Sequence, residues 1–286
     1  MTTTIEDAYA YCAQVTKEQA RNFHYGIRLL PPDKRAALCA VYALARIVDD
    51  IGDGDLTAEA KLSGLAGIRK SLGDLGASSE PVYVAVADAA RRYPIPLGAF
   101  EELLDGVEMD VTGRRYVRFE DLVEYCRCVA GSVGRLCLGV FGSRPDPEAS
   151  TYADELGIAL QQTNILRDIR EDLLNGRVYL PKEDLDRFGV ELAVGEDGRL
   201  EDPDGGLTAL VRAGAARSRD WYGRGLRLVP SLDRRSAACC TAMSGIYRTL
   251  LDRIDEQPSR VFDRRLSLSG REKAVVAVRA LLGSPR

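Results

Sequence analysis

The sequence predicts an all-α protein, and three observations carry that expectation. Apolar residues recur at spacings of three and four along nearly the whole chain. Runs that alternate apolar and polar residues, as half-buried strands do, are scarce. The breaks between the periodic stretches carry residues that start or stop helices. With 286 residues, 45% hydrophobic and 29% charged, the chain can bury a sizeable core, and we read residues 1–286 as a single domain.

Taken in order, helical spacing places helices near residues 5–22, 32–52, 57–73, 80–93, 97–110, 119–141, 149–174, 207–228, 232–256 and 269–283. "LLPPDKR" opens the second, putting Pro32 and Asp33 at a helix start. "YPIP", residues 93–96, stops the fourth before the fifth begins. "GSRPDPEAS", with two prolines, separates the segment ending at 141 from the one starting at 149. The stretch at 190–207, "VELAVGEDGRLEDPDGGL", is rich in Gly and Asp; helical patterning resumes directly after it, so we read it as a surface loop inside the domain.

The balance of 39 basic and 43 acidic residues argues against a nucleic-acid partner. No window reaches the roughly 18 apolar residues that a membrane span needs, since the best candidate, "AALCAVYALARIV", is broken by Arg46. "MTTTIEDAYAYCAQ" has no basic start followed by an apolar run, so the expected compartment is the cytosol. Most of the seven cysteines fall among apolar or small residues and read as reduced core thiols; with His24 as the sole histidine, a zinc site is not expected.

Against this background "YALARIVDDIGDGD" stands out. Tyr42, Arg46, Asp49 and Asp53 are spaced four, three and four apart, which lines them along one helix face, with Asp50 beside it. A second polar stripe follows in "QQTNILRDIREDLLNGRVYLP", where Gln161, Asn164, Asp168 and Asp172 are three, four and four apart. Ile165, Ile169 and Leu173 give that helix an apolar side as well. Bare carboxylates on an inward face cost several kcal/mol each unless a cation offsets them. Aspartate and amide oxygens suit hard Mg²⁺, with Mn²⁺ as the alternative. If the rows face each other across a cavity, they can hold two or three ions that clamp a diphosphate, whose departure Arg46 and Arg167 would assist. The competing reading is a solvated acidic helix end in a non-catalytic scaffold or lipid-binding protein.

Beyond these rows the chain resembles the head-to-head squalene and phytoene synthases. The likeness runs from "ARNFHYGIRLLPPDKRAALCAVYALARIVDDIGD" through "YCRCVAGSVGRLCLGVFG" and "QQTNILRDIREDLLNGRVYLP" to "IYRTLLDRI". It implies an isoprenoid-synthase-type helical bundle around a central cavity. Carried over by position, it makes Asp49, Asp53, Asp168 and Asp172 metal ligands, with Asn164 and Gln161 near the metal-diphosphate cluster. Arg46 and Arg167 would contact phosphate, as would Arg260 in "SRVFDRR". Phe23, Tyr42, Tyr125 and Tyr247 match aromatic positions that line the site, where a π face stabilises a carbocation without attacking it. Arg177 and Tyr179 belong to the shared motif. Where many relatives have serines before the phenylalanine, this chain has Ala20, Arg21 and Asn22, and Asn22 is left to donate to phosphate.

The resemblance also implies a reaction. Two allylic diphosphates join, a proton is lost, and a cyclopropane closes that keeps one diphosphate; that intermediate is released or ionised again and rearranged. "ARNF-x-YGIRLLP" and "VDDIGDGD" look most like bacterial presqualene diphosphate synthases of hopanoid pathways, so two farnesyl diphosphates giving presqualene diphosphate is the first expectation. A phytoene or dehydrosqualene synthase is the second, and a cyclase acting on one substrate the third. NADPH is not expected, because the longer, membrane-tailed form that uses it is not seen here and no Gly-x-Gly-x-x-Gly follows a strand. Peripheral association with the inner face of the membrane and contact with downstream isoprenoid enzymes complete the expectations.

Overall fold

The computed structural model describes residues 3–20 and 22–283, so Arg21 lies outside the described residues. Among these there are fourteen α-helices and no strand; one isolated antiparallel bridge joins Val194 to Leu200. The helices are α1 (Ile5–Gln19), α2 (Phe23–Ile27), α3 (Pro32–Asp53), α4 (Ala58–Gly73), α5 (Pro81–Arg92), α6 (Gly98–Val111), α7 (Phe119–Cys126), α8 (Ser132–Phe141), α9 (Ala149–Leu174), α10 (Lys182–Phe188), α11 (Gly206–Gly225), α12 (Arg234–Glu256), α13 (Ser259–Asp263) and α14 (Gly270–Leu282). Side-chain caps open several of them: Thr4, Thr57, Asp233 and Ser269 each accept from a backbone N–H of the first turn of α1, α4, α12 and α14.

Two helices form the inside. α3 is buried from Ala37 to Val41, from Ala43 to Ala45 and at Val48, and it packs on α1, α5, α6 and α8. Such a nearly all-round apolar surface marks an interior helix, which leaves its polar stripe only a cavity to face. α9 packs on α8, α11, α12 and α13. Around both, one apolar core extends from Ala8 to Leu268.

α7 runs into α8 through a single π-helical turn, Arg127–Gly131, a wide turn of a kind frequent at functional sites. It coincides with the "VAGSVG" run, and the small residues there have a packing reason. A Cβ on Gly157 of α9 would lie 2.3 Å from the carbonyl oxygen of Ala130, and one on Gly134 of α8 would lie 2.3 Å from that of Ala153. Backbone therefore touches backbone, and only glycine permits it.

Expected and observed helices differ mainly where elements are short. The segment expected at 5–22 ends at Gln19, and Phe23 starts a separate helix. α2, α10 and α13, of five, seven and five residues, are too short to display two turns of apolar period. The segment expected to reach 228 leaves the α conformation after Gly225 and tightens into a 3-10 stretch, Leu226–Ser231. The loop after α10 is tethered through Leu200, which is buried and donates its N–H to the carbonyl of Phe262 at 2.9 Å. None of the seven cysteines is paired, and burial pushes the Cys137 and Cys240 thiols up to about 12. Among the described residues no helix is long and apolar enough to cross a membrane.

Candidate active site

α3 and α9 both line a cavity of about 820 Å³, and the two polar stripes end up in its wall. Tyr42, Arg46, Asp49 and Asp53 come from α3; Gln161, Asn164, Arg167, Asp168 and Asp172 come from α9. Asn22 and Phe23 enter from the start of α2, Tyr125 from α7, Tyr247 from α12, and Arg177 and Tyr179 from the strap after α9. Of the residues assigned a role in the site from sequence, Arg260 is the one outside this lining; Asp50, noted beside the first stripe, lies outside it too. Arg260 is exposed on α13, whose inward side chains are Val261 and Phe262. Arg265, five residues on in the extended segment after α13, reaches the cavity in its place.

The acids of the two rows are held differently from one another. Asp53 accepts from Arg177 Nη1 at 2.8 Å, and the other Arg177 nitrogen donates to the Gly52 carbonyl at 3.2 Å. Asp168 is clamped by two arginines: Arg167 Nε at 2.8 Å with a second contact through its Nη2, and Arg265 Nε and Nη2 at 2.9 and 3.1 Å. Arg46 pairs with Asp50 one turn on. Burial, with Asp53 and Asp50 nearby and only Arg46 opposing, pushes the Asp49 carboxyl up to about 7. Burial beside Asp168 does the same to Asp172, also to about 7, against the pull of Arg177.

Two buried atoms in the lining lack a partner: the acceptor Asn164 Oδ1 and the donor Arg46 Nε. One suits a cation and the other an anion. Among the described residues no three His, Cys, Asp or Glu side chains converge closely enough to hold an ion by themselves. That fits Mg²⁺ or Mn²⁺ bound through one or two carboxylates each, with substrate phosphate and water completing the shell. The residues present therefore fit a divalent ion that arrives with an anionic ligand.

Sequence reasoning passed over Asp110 of α6, which lines the same cavity and accepts hydrogen bonds from Tyr125 and Tyr179, both at 2.8 Å. A signal was there: Leu103, Val107 and Asp110 continue one face of α6 at spacings of four and three, and the first two are buried. Arg265, Ser267 and Lys273 were likewise missed, and they too line the cavity.

Adjoining it lies a second, apolar cavity of about 230 Å³, lined by residues such as Ile27, Val41, Val133, Phe141, Leu160 and Met243. Both cavities share Phe23, Tyr42, Arg46, Asp49, Gln161 and Asn164, so the polar mouth opens directly on the apolar end. Phe23 and Tyr247 stack at the mouth with ring centroids 5.7 Å apart. Such a site accepts an amphiphile: an anionic head among arginines and acids, and a hydrocarbon tail beyond.

An all-α bundle with this polar cavity and this adjoining apolar one defines an isoprenoid-synthase type of enzyme, a prenyltransferase that handles a charged head and an apolar chain. Residues 16–272 match the squalene/phytoene synthase family, and the chain belongs to it. Members of the family join prenyl diphosphates head to head and use divalent metal ions. Over 282 residues the chain is 57% identical to a phytoene synthase of Mycobacterium bovis, covering 99% of this chain and 93% of that one. A solved dehydrosqualene synthase in complex with a ligand superposes with a TM-score of 0.88 at 28% identity, covering 98% of each chain. The squalene synthase HpnC from Alicyclobacillus acidocaldarius superposes with a TM-score of 0.78, also at 28% identity, over 88% of this chain and 95% of that one.

Proposed function

We propose that the protein joins two geranylgeranyl diphosphates and carries the reaction through to phytoene. The junction of the acidic and basic mouth with the apolar cavity supports the substrate class, and the 57% identity to a phytoene synthase supports the product. The first expectation from sequence, presqualene diphosphate from two farnesyl diphosphates, becomes the second reading, and the likeness to a squalene synthase supports a reaction of the squalene type.

In this reading the diphosphate of the donor lies among Arg46, Arg167, Arg177 and Arg265, and Asn22 and Gln161 donate to it. Two or three divalent ions, held by Asp49, Asp53, Asn164, Asp168 and Asp172, would neutralise its charge as the C–O bond breaks and the electron pair leaves with it. The acceptor's double bond supplies the electrons of the new C–C bond, and loss of a proton closes the cyclopropane. A second ionisation, rearrangement and a second proton loss give the hydrocarbon, so no reductant is required and NADPH has no part. Phe23, Tyr42 and Tyr247 turn π faces toward the cation, and the apolar walls withhold water that would quench it. The continuous core supports one domain over the whole chain. The apolar product supports peripheral contact with the inner face of a membrane and hand-over to downstream isoprenoid enzymes.

Product analysis tests this. Purified protein with Mg²⁺ and geranylgeranyl diphosphate should yield phytoene without NADPH. Accumulation of presqualene diphosphate from farnesyl diphosphate, with no C40 hydrocarbon, would move the assignment to the second reading. A product with the carbon count of one prenyl chain would replace both.

A further inference from the structure

Asp110, a carboxylate in the cavity wall, has no part in that scheme. Asp110 sits in the last turn of α6, and its two oxygens are each used by a different phenol: Oδ2 accepts from Tyr125 and Oδ1 from Tyr179, both at 2.8 Å. The three residues come from α6, α7 and the strap after α9, so nothing local in the chain holds them together. The phenol rings stack with centroids 5.0 Å apart and planes 24° from parallel. Tyr116 closes the group at 5.5 Å from Tyr125 and 6.0 Å from Tyr179. All three rings are buried, and Tyr125 and Tyr179 line the cavity that the two acidic rows share.

A phenol has one proton. When both protons are given to an ionised Asp110, each oxygen turns lone pairs, and no O–H, toward its other side. Hydrogen bonds to a charged acceptor are the strong ones, so the orientation is well held. We propose that Asp110 is a positioning residue: it fixes Tyr125 and Tyr179 side by side with their protons turned away from the substrate, so that the pair presents electron-rich oxygens and ring faces to the allylic cation. The role rests on the carbocation reading above and adds to it. The aromatic wall is then a set orientation, arranged before the charge develops, which is where a buried polar group acts most strongly on a transition state.

Asp110→Asn tests this, because the amide keeps the shape but donates to one phenol oxygen and turns that proton back toward the cavity. With the preferred prenyl diphosphate and Mg²⁺, kcat should fall by about a hundredfold with KM changed less than about threefold, the pattern of an interaction made in the transition state. In a Tyr125→Phe, Tyr179→Phe background the same substitution should cost less than about threefold more, since the phenols it orients are gone. Equal losses in both backgrounds, or a kcat within twofold of the parent in the single variant, would overturn the positioning role. Should Asp110→Asn fail to fold, Tyr125→Phe and Tyr179→Phe each remove one bond and must each lower kcat more than KM; unchanged kcat in both would overturn it equally. Failure of the underlying reading looks different: the unmodified protein then forms no head-to-head product from any prenyl diphosphate.

Discussion

The two acidic rows are nearly alike as sequence and differ in what complements them. On α3 the outer acid, Asp53, has Arg177, and the inner one, Asp49, is pushed up to about 7 by burial. On α9 the order is reversed: Asp168 is clamped by Arg167 and Arg265, and Asp172, toward the helix end, is pushed up to about 7. Each row thus has one acid whose charge the protein offsets and one whose charge is disfavoured. A carboxylate of the second kind gains most when a divalent cation arrives.

The sharpest way to break this comparison is to replace one acid of each kind. Asp49→Asn should lower turnover by about a thousandfold or more while melting at or above the temperature of the parent, since a disfavoured charge is removed. Asp168→Asn should lose activity to a similar extent and also destabilise by about 2 kcal/mol, because it strands the buried Arg167. Thermal denaturation of the two proteins side by side checks it, and equal melting temperatures would erase the distinction.

Gly157→Ala displaces one row and spares the other. A Cβ there meets the Ala130 carbonyl at 2.3 Å, so α9 must shift against the π-helical turn Arg127–Gly131. We expect a loss of about 1–3 kcal/mol with a weakened Mg²⁺ response, read from denaturation with and without the ion. Unchanged stability would show that the close approach relaxes freely.

Titration sharpens the comparison further. The carboxyls of Asp49 and Asp172 hold protons to about 7 in the fold, against roughly 3.9 in an unfolded chain. The folded chain therefore binds more protons between those values, and metal-free stability falls as pH rises through about 7. Melting in chelator should drop between pH 5 and pH 8, drop less in Asp49→Asn, and recover on adding Mg²⁺. A parent and variant that fall in parallel would remove Asp49 from the account.

The smallest effects separate two arginines. Arg265→Gln, whose side chain is 57% exposed, should cost less than about 1 kcal/mol of stability while raising KM about tenfold. Arg260→Gln should leave both kcat and KM within twofold. A KM rise with Arg260→Gln equal to that of Arg265→Gln would restore the sequence-based assignment.

What could be read ahead of the structure follows from local periodicity. Tyr42, Arg46, Asp49 and Asp53 share a face because a helix repeats every 3.6 residues, and so do Gln161, Asn164, Asp168 and Asp172. α3 and α9, long and preceded by proline, were legible for the same reason. α2, α10 and α13 were not, because a helix of five or seven residues owes its existence to what it packs on. Arg260, expected in the site from the resemblance, falls outside it because position along the chain says nothing of which side of a short helix faces inward.

By itself, then, the sequence determined the helix class, the two acidic faces and the family to which they belong. Tertiary structure alone decided which acids receive an arginine from far along the chain, that Arg265 and not Arg260 reaches the cavity, and that Asp110 meets Tyr125 and Tyr179. The physical reason is range: helical spacing acts over a few residues, whereas these contacts join positions 15, 69, 97 and 124 apart, brought together only when the apolar faces of separate helices are buried in one core.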